Sequence, residues 1–105
     1  MNREHEPVMA RFADNLSGLR RKSGFGQDEF ALLADLHRTQ VSVLERALRE
    51  PRLLTLVKLA AALDVSLDLL CEGIGWQVVA GRTPGGPLID GRLVGEDVAA
   101  TREDI

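Results

Sequence analysis

Between Pro7 and Leu70 the apolar residues recur at helical spacing, in short stripes separated by glycine, proline and polar residues. Val8, Phe12, Leu16 and Leu19 mark a first helix that starts near Pro7, a residue favoured in a first turn. It stops at Gly24, after a basic last turn of Arg20, Arg21 and Lys22 that suits the helix dipole. A second helix opens at Gln27, with Gly26 as N-cap, Asp28 and Glu29 in its first turn, and Phe30, Leu33 and Ala34 facing inward. After a turn at Asp35 and Leu36, His37 caps a third helix over residues 38–48, with Val41, Leu44 and Leu48 on its inner side. Pro51 ends that helix or its continuation. A fourth carries Leu53, Leu56, Leu59, Ala60 and Leu63 on one side, and Ser66 caps a short fifth that holds Leu69 and Leu70. Gly73 and Gly75 close the helical part.

Beyond it the pattern changes. Gly81 to Pro87 is a loop by composition, and the flanking segments Trp76–Ala80 and Leu88–Val94 read as two short strands. An isolated hairpin is marginal in water, so this one should pack on the helices or pair with a second copy. The residues from Glu96 to Ile105 are acidic and expected to fray. The expected architecture is mainly α, five helices followed by a small C-terminal β-hairpin. Its two parts are a helical domain at residues 7–73 and a C-terminal element at residues 74–105.

The third helix has an outer side worth separate notice. Rotation by about 100° per residue puts Thr39, Ser42, Val43 and Arg46 there, with Arg38 and Gln40 on the flanks, and no acid on the helix joins them. Short hydroxyls, one compact apolar group and basic or amide flanks can approach base edges and thymine methyls without repelling phosphates. An ordinary solvated helix face has the same composition, so neighbouring elements must decide between the two. Two helices joined by a short turn, the second presenting such a face, make a helix-turn-helix.

Residues 12–70 resemble the Cro/C1-type (Xre-like) helix-turn-helix domain of bacterial and phage repressors, the lambda-repressor-like fold. The resemblance rests on Leu19-Arg20, Gly26-Gln27-Asp28-Glu29-Phe30-Ala31, Val41-Ser42-Val43-Leu44-Glu45-Arg46, Pro51, and the run from Leu59 to Val65, in that order and spacing. It implies that Gln27 binds a DNA phosphate, and that Arg38, Thr39 and Val43 read bases with Ser42 beside them. It also implies that Arg46, and Arg49 in the following loop, grip the backbone, and that Arg20 and Glu45 form a structural ion pair. The plainer readings are that Gln27 only starts a helix and that Arg49 and Arg52 are only solvated. Two positions depart from the family, which usually has glycine where this chain has Asp35 and Ala47. Aspartate tolerates a left-handed backbone. Alanine does so less readily, which predicts that helix three runs on through Ala47 toward Leu48 or Arg49.

Composition and charge refine this picture. The chain of 105 residues and 11.5 kDa suffices for one modest core. Its net charge of -3 argues against a polyanionic partner, yet residues 1–70 hold 10 basic and 10 acidic residues, so the deficit lies in residues 71–105, with 3 basic and 6 acidic. Between Arg38 and Lys58, five basic residues (Arg38, Arg46, Arg49, Arg52, Lys58) face two acids (Glu45, Glu50), and a local field steers a polyanion more than overall charge does.

Catalysis is not expected: His5 and His37 stand apart, and the chain has no HExxH, no Cys/His metal spacing and no GxSxG. No cofactor or metal is called for. Cys71, the single cysteine, excludes an internal disulfide and reads as a small buried apolar residue. The Gly-rich loop lacks the GxxxxGK[ST] pattern of a phosphate cradle, and the few aromatics disfavour a reader of single strands. Without an apolar leader or a long apolar run, the expected location is cytoplasmic and away from membranes. The expected function is a double-stranded DNA-binding transcriptional regulator, a repressor acting as a homodimer, with Trp76, Val78, Ile89 and Leu93 in the dimer interface. The alternative is an antitoxin that covers a toxin partner with its tail and regulates its own operon.

Overall fold

Five helices and a three-stranded sheet are present in the computed structural model, which describes residues 5–78 and 85–94: α1 (Glu6–Lys22), α2 (Gln27–Leu33), α3 (Arg38–Glu45), α4 (Leu53–Leu63), α5 (Leu67–Leu70), β1 (Ile74–Gln77), β2 (Gly86–Ile89) and β3 (Arg92–Leu93). The helices close around Phe12 and Leu16 of α1, Phe30 and Ala31 of α2, Val41 and Leu44 of α3, Leu59, Ala60 and Leu63 of α4, and Leu70 of α5. No buried side-chain nitrogen or oxygen among the described residues lacks a partner.

One device ends four of the helices. After each, a residue with left-handed backbone turns the chain, and two N–H groups reach back to carbonyls of the last turn. At α1 this residue is Gly24, where Gly24 N–H meets Arg21 O (3.0 Å) and Phe25 N–H meets Arg20 O (3.3 Å). Asp35, Ala47 and Asp64 repeat it after α2, α3 and α4, with φ of 56°, 59° and 55°. Only the first of the four is glycine.

The cap at Ala47 corrects the expectation that helix three continues. Ala47 N–H donates to Leu44 O (3.1 Å) and Leu48 N–H to Val43 O (3.0 Å), so α3 stops at Glu45. Two satisfied carbonyls offset the cost of a left-handed alanine. Leu48 therefore leaves the helix and is exposed instead of extending the inner stripe.

Two other residues expected inside are exposed. Leu33 stands roughly 110° from the centre of the face formed by Phe30, Ala31 and Ala34, so Ala31 takes the inward place. Leu53 has the right angle on α4 but lies in the first turn, beyond Leu56, where the core has ended. Leu69 is likewise exposed and Leu70 fully buried, while Ser66 Oγ accepts Leu69 N–H at 3.1 Å as the N-cap of α5.

The sheet is antiparallel in the order β1-β2-β3, with Ile74 opposite Ile89, Trp76 opposite Pro87, and Leu88 opposite Leu93. It differs from the expected hairpin in two ways. β1 begins at Ile74, directly after α5, and the segment read as one strand over Leu88–Val94 is folded in two at Asp90 and Gly91. Both have positive φ (53° and 78°), as a two-residue type I′ turn requires. Of the expected loop and first strand, residues 79–84 lie outside the described residues, as does the acidic segment from residue 95 onward.

The sheet rests on α1. Arg11 Nη1 and Nη2 reach the two Asp90 carboxylate oxygens at 2.8 Å each, and Arg11 Nε donates to Glu72 O at 3.2 Å. Asn15 Nδ2 donates to Leu70 O (3.1 Å) and Glu72 O (2.9 Å), which fixes the passage from α5 into β1. Trp76 meets the His5 ring edge-on, with centroids 6.2 Å apart. Cys71 is half-buried against the core, and burial together with Asp68 pushes its thiol above the usual value, away from a reactive thiolate.

Candidate nucleic-acid interface

Val41 and Leu44 pin α3 to the core and the Glu45 side chain turns inward with them, which leaves the opposite side of the helix turned outward. Arg38, Thr39, Gln40 and Arg46 are exposed, and Ser42 and Val43 are half-buried. Gln40 Oε1 accepts His37 N–H (2.9 Å), so the His37 side chain is not what caps the helix. Between α3 and the loop that enters α4 lies a concavity of about 300 Å³, whose lining includes Thr39, Val43, Arg49, Arg52 and Thr55. Arg49 and Arg52 are exposed at this loop, and Arg46, Arg49 and Arg52 form no ion pair with the described residues.

Behind this surface three helices meet at one carboxylate. Arg20 donates from Nε to Glu45 Oε2 (2.6 Å) and from Nη2 to Oε1 (2.8 Å), and its Nη1 takes Phe25 O (2.8 Å). Ser17 Oγ and Gln27 Nε2 both donate to Glu45 Oε1 at 3.2 Å. α1, α2 and α3 are thus joined through a single side chain. Burial pushes the Glu45 carboxyl up, but the donors from Arg20, Gln27 and Ser17 outweigh it and hold it below the usual glutamate value. The hydrogen bond to Glu45 outweighs burial at Arg20 as well, raising its guanidinium above its ordinary value. The arrangement also fixes Gln27, since one amide hydrogen is committed to Glu45 and the other remains available.

Charge counted along the chain misjudges the charge of this surface. Arg38 Nε lies 3.0 Å from Asp28 Oδ1 of α2, and Lys58 Nζ contacts both Asp35 Oδ2 (3.1 Å) and Asp35 O (3.2 Å). Two of the five basic residues between Arg38 and Lys58 are therefore partnered by acids that precede that window. The outer side of α3 has no acid of its own, but Asp28 stands at its start.

The four residues expected at a dimer interface do not share one environment. Trp76 and Val78 are exposed, whereas Ile89 and Leu93 are half-buried. Among the described residues no group of three or more His, Cys, Asp or Glu could hold a metal ion, and no helix is long and apolar enough to cross a membrane. Sequence reasoning missed Asp28 and Ser17 at the interface, and Arg11, Asn15 and Asp90 at the sheet. Asp28 and Arg38 open consecutive helices of a helix-turn-helix, which is a usable signal; nothing local connects Arg11 with Asp90, 79 positions away.

Residues 17–70 match the helix-turn-helix family HTH_3. Among solved structures, the restriction-modification controller protein C.AhdI from Aeromonas hydrophila is 35% identical over 59% of this chain and 94% of its own, with a TM-score of 0.58. The hypothetical transcription factor NHTF from Neisseria is 35% identical over 65% of this chain and 75% of its own, at a TM-score of 0.59. An HTH_3 family transcriptional regulator from Vibrio cholerae is 27% identical over 60% of this chain but only 35% of its own, at 0.58. No match was found among curated proteins.

Proposed function

The chain belongs to the helix-turn-helix family HTH_3 and is a DNA-binding transcriptional regulator rather than an enzyme, and on that premise we propose that it is a repressor whose α3 enters the major groove of a specific operator. The observation that carries this reading is the mounting of α3: its inner side is locked by Val41, Leu44 and the Glu45 junction, while Arg38, Thr39 and Val43 face away from the core. A helix held this firmly presents its side chains in one geometry, which readout of base edges needs.

The remaining contacts are then assigned by position. Gln27 gives its uncommitted amide hydrogen to a phosphate, Ser42 lies beside the base-reading residues, and Arg46 at the end of α3 and Arg49 at the concavity hold the DNA backbone. Phosphate contacts supply affinity and register but no sequence information. Residues 7–73 carry the reading of DNA and residues 74–105 the contacts between two copies, for which exposed Trp76 and Val78 are the supporting feature. A two-fold dimer reads half-sites roughly 34 Å apart, which gives small modules like this one the affinity they lack singly. The proposed working compartment is the cytoplasm, with the duplex DNA that α3 would read.

Selection from random duplex DNA, followed by competition with single-base variants, tests the reading. Thr39→Ala and Val43→Ala should each change the preferred base at particular positions, whereas Gln27→Ala should weaken every site by a similar factor. Base preferences that survive both α3 substitutions unchanged would overturn the docking of α3.

A further inference from the structure

The pair between Arg38 and Asp28 has no structural task that would explain it. Its side chains are 65% and 84% exposed, and ion pairs in that setting add little to stability. Nor does it favour DNA binding as such, because a carboxylate beside the first residue of α3 repels phosphates and cancels one of the few basic groups on this surface. The contact nevertheless sits where it matters for a docked α3: Arg38 Nε lies 3.0 Å from Asp28 Oδ1, a charge contact that spans from the first turn of α2 to the first residue of α3.

We propose that Asp28 is a specificity-determining residue, whose charge holds the Arg38 guanidinium at the start of α3 so that its fork reads a guanine in the major groove. The inference rests on the docking of α3 described above. Guanine offers O6 and N7 as neighbouring acceptors, and the planar fork of arginine matches them with two parallel hydrogen bonds. A free arginine at the start of α3 has many rotamers, and most of them satisfy a phosphate as well as a base. Tethering the guanidinium removes part of that freedom before binding, so less ordering is left for the complex to impose. Exclusion of water at the DNA surface strengthens the tether, because the same two charges attract more in a lower dielectric. Asp28 thus trades general affinity for discrimination, and the two effects of removing it have opposite signs.

The experiment uses the full chain and the operator selected by the wild type from random duplexes, with every position varied singly and an unrelated duplex as the non-specific probe. Arg38→Ala should erase a preference for guanine at one position of the half-site. Asp28→Ala and Asp28→Asn should lower discrimination at that same position by about tenfold, within the range for a bidentate arginine–guanine contact. They should leave other positions alone and bind the non-specific duplex at least about twofold more tightly, since a charge repelling phosphate is gone. The conservative Asp28→Asn keeps the shape and loses only the charge that holds Arg38, so loss of fold does not imitate this result. Asp28 variants that retain the full guanine preference, or that lose preference evenly at all positions, overturn the proposal. A wild type that selects no sequence, or an Arg38→Ala variant with unchanged preferences throughout, instead overturns the docking of α3 on which it rests.

Discussion

Two arginines of α1, nine positions apart, each join the helix to a distant carboxylate, and the two junctions differ in depth. Arg20 meets Glu45 with side chains only 10% and 5% exposed, and the carboxylate collects further donors from Ser17 and Gln27. Arg11 meets Asp90 with side chains 28% and 60% exposed, and water reaches both. The first junction binds α1, α2 and α3 into the unit that carries the outer face of α3. The second fastens the sheet onto that unit. In the interior, a charge that loses its partner has no water to replace it, whereas at the surface water takes over most of the loss. One bidentate geometry therefore makes a lock in one place and a latch in the other.

The lock should show the largest effect. Glu45→Ala leaves a buried guanidinium unpaired, and Arg20→Ala a buried carboxylate, so each should cost about 3–5 kcal/mol in chemical or thermal unfolding. A loss near that of an exposed pair, about 0–1 kcal/mol, would remove the contrast. The pair also has a pH signature. Because the Glu45 carboxyl is held below its usual value in the fold, the unfolded chain binds the proton more readily. Its contribution is complete above the ordinary glutamate value and disappears as pH falls through the lower folded value. Acid should therefore destabilise the wild type more than Glu45→Gln, and parallel acid titrations of the two would place the stabilisation elsewhere.

Each junction also turns through left-handed residues, and here they differ in chemistry. Asp90 and Gly91 suit their turn, but Ala47, which closes α3 two residues after Glu45, does not. A left-handed alanine costs about 1–2 kcal/mol and the extra freedom of glycine in the unfolded chain about 0.4–1, so Ala47→Gly should stabilise by about 0.5–1 kcal/mol. Were α3 to continue through this position, the same substitution would destabilise by about 1 kcal/mol, as glycine does inside a helix. Thermal melts distinguish the two by sign alone.

Ala47 also marks where the sequence stops being informative. Helix positions are legible because apolar spacing and cap residues agree at Gly24, Gly26 and Ser66. Spacing gives a direction around the helix but no depth, which is why Leu53 was expected inside and lies beyond the core. At Ala47 residue preference argued for more helix, and the two back-reaching N–H groups that decide otherwise depend on where Leu48 must go. Asp90-Gly91 carries a local turn signal, but the surrounding apolar residues read as one strand and mask it. Arg20 and Glu45 are 25 positions apart and only the family resemblance joined them, while the contact of Asp28 with Arg38 requires α2 and α3 in place.

The smallest effect belongs to the latch. Arg11→Ala removes both hydrogen bonds to Asp90 and the one to Glu72 O, but Asn15 still holds Leu70 O and Glu72 O, and water solvates the freed carboxylate. The expected cost is about 0–1 kcal/mol, the range for exposed pairs. Trp76 is the single tryptophan of the chain and stands in β1, so its fluorescence reports the sheet while far-ultraviolet circular dichroism reports the helices. In the variant the tryptophan signal should change at lower denaturant than the helical signal, since the sheet now opens locally while the Glu45 junction still holds the helices. Two coincident transitions at a midpoint lowered as far as in Glu45→Ala would mean that the sheet is as integral to the fold as the helices, and that depth does not separate the two junctions.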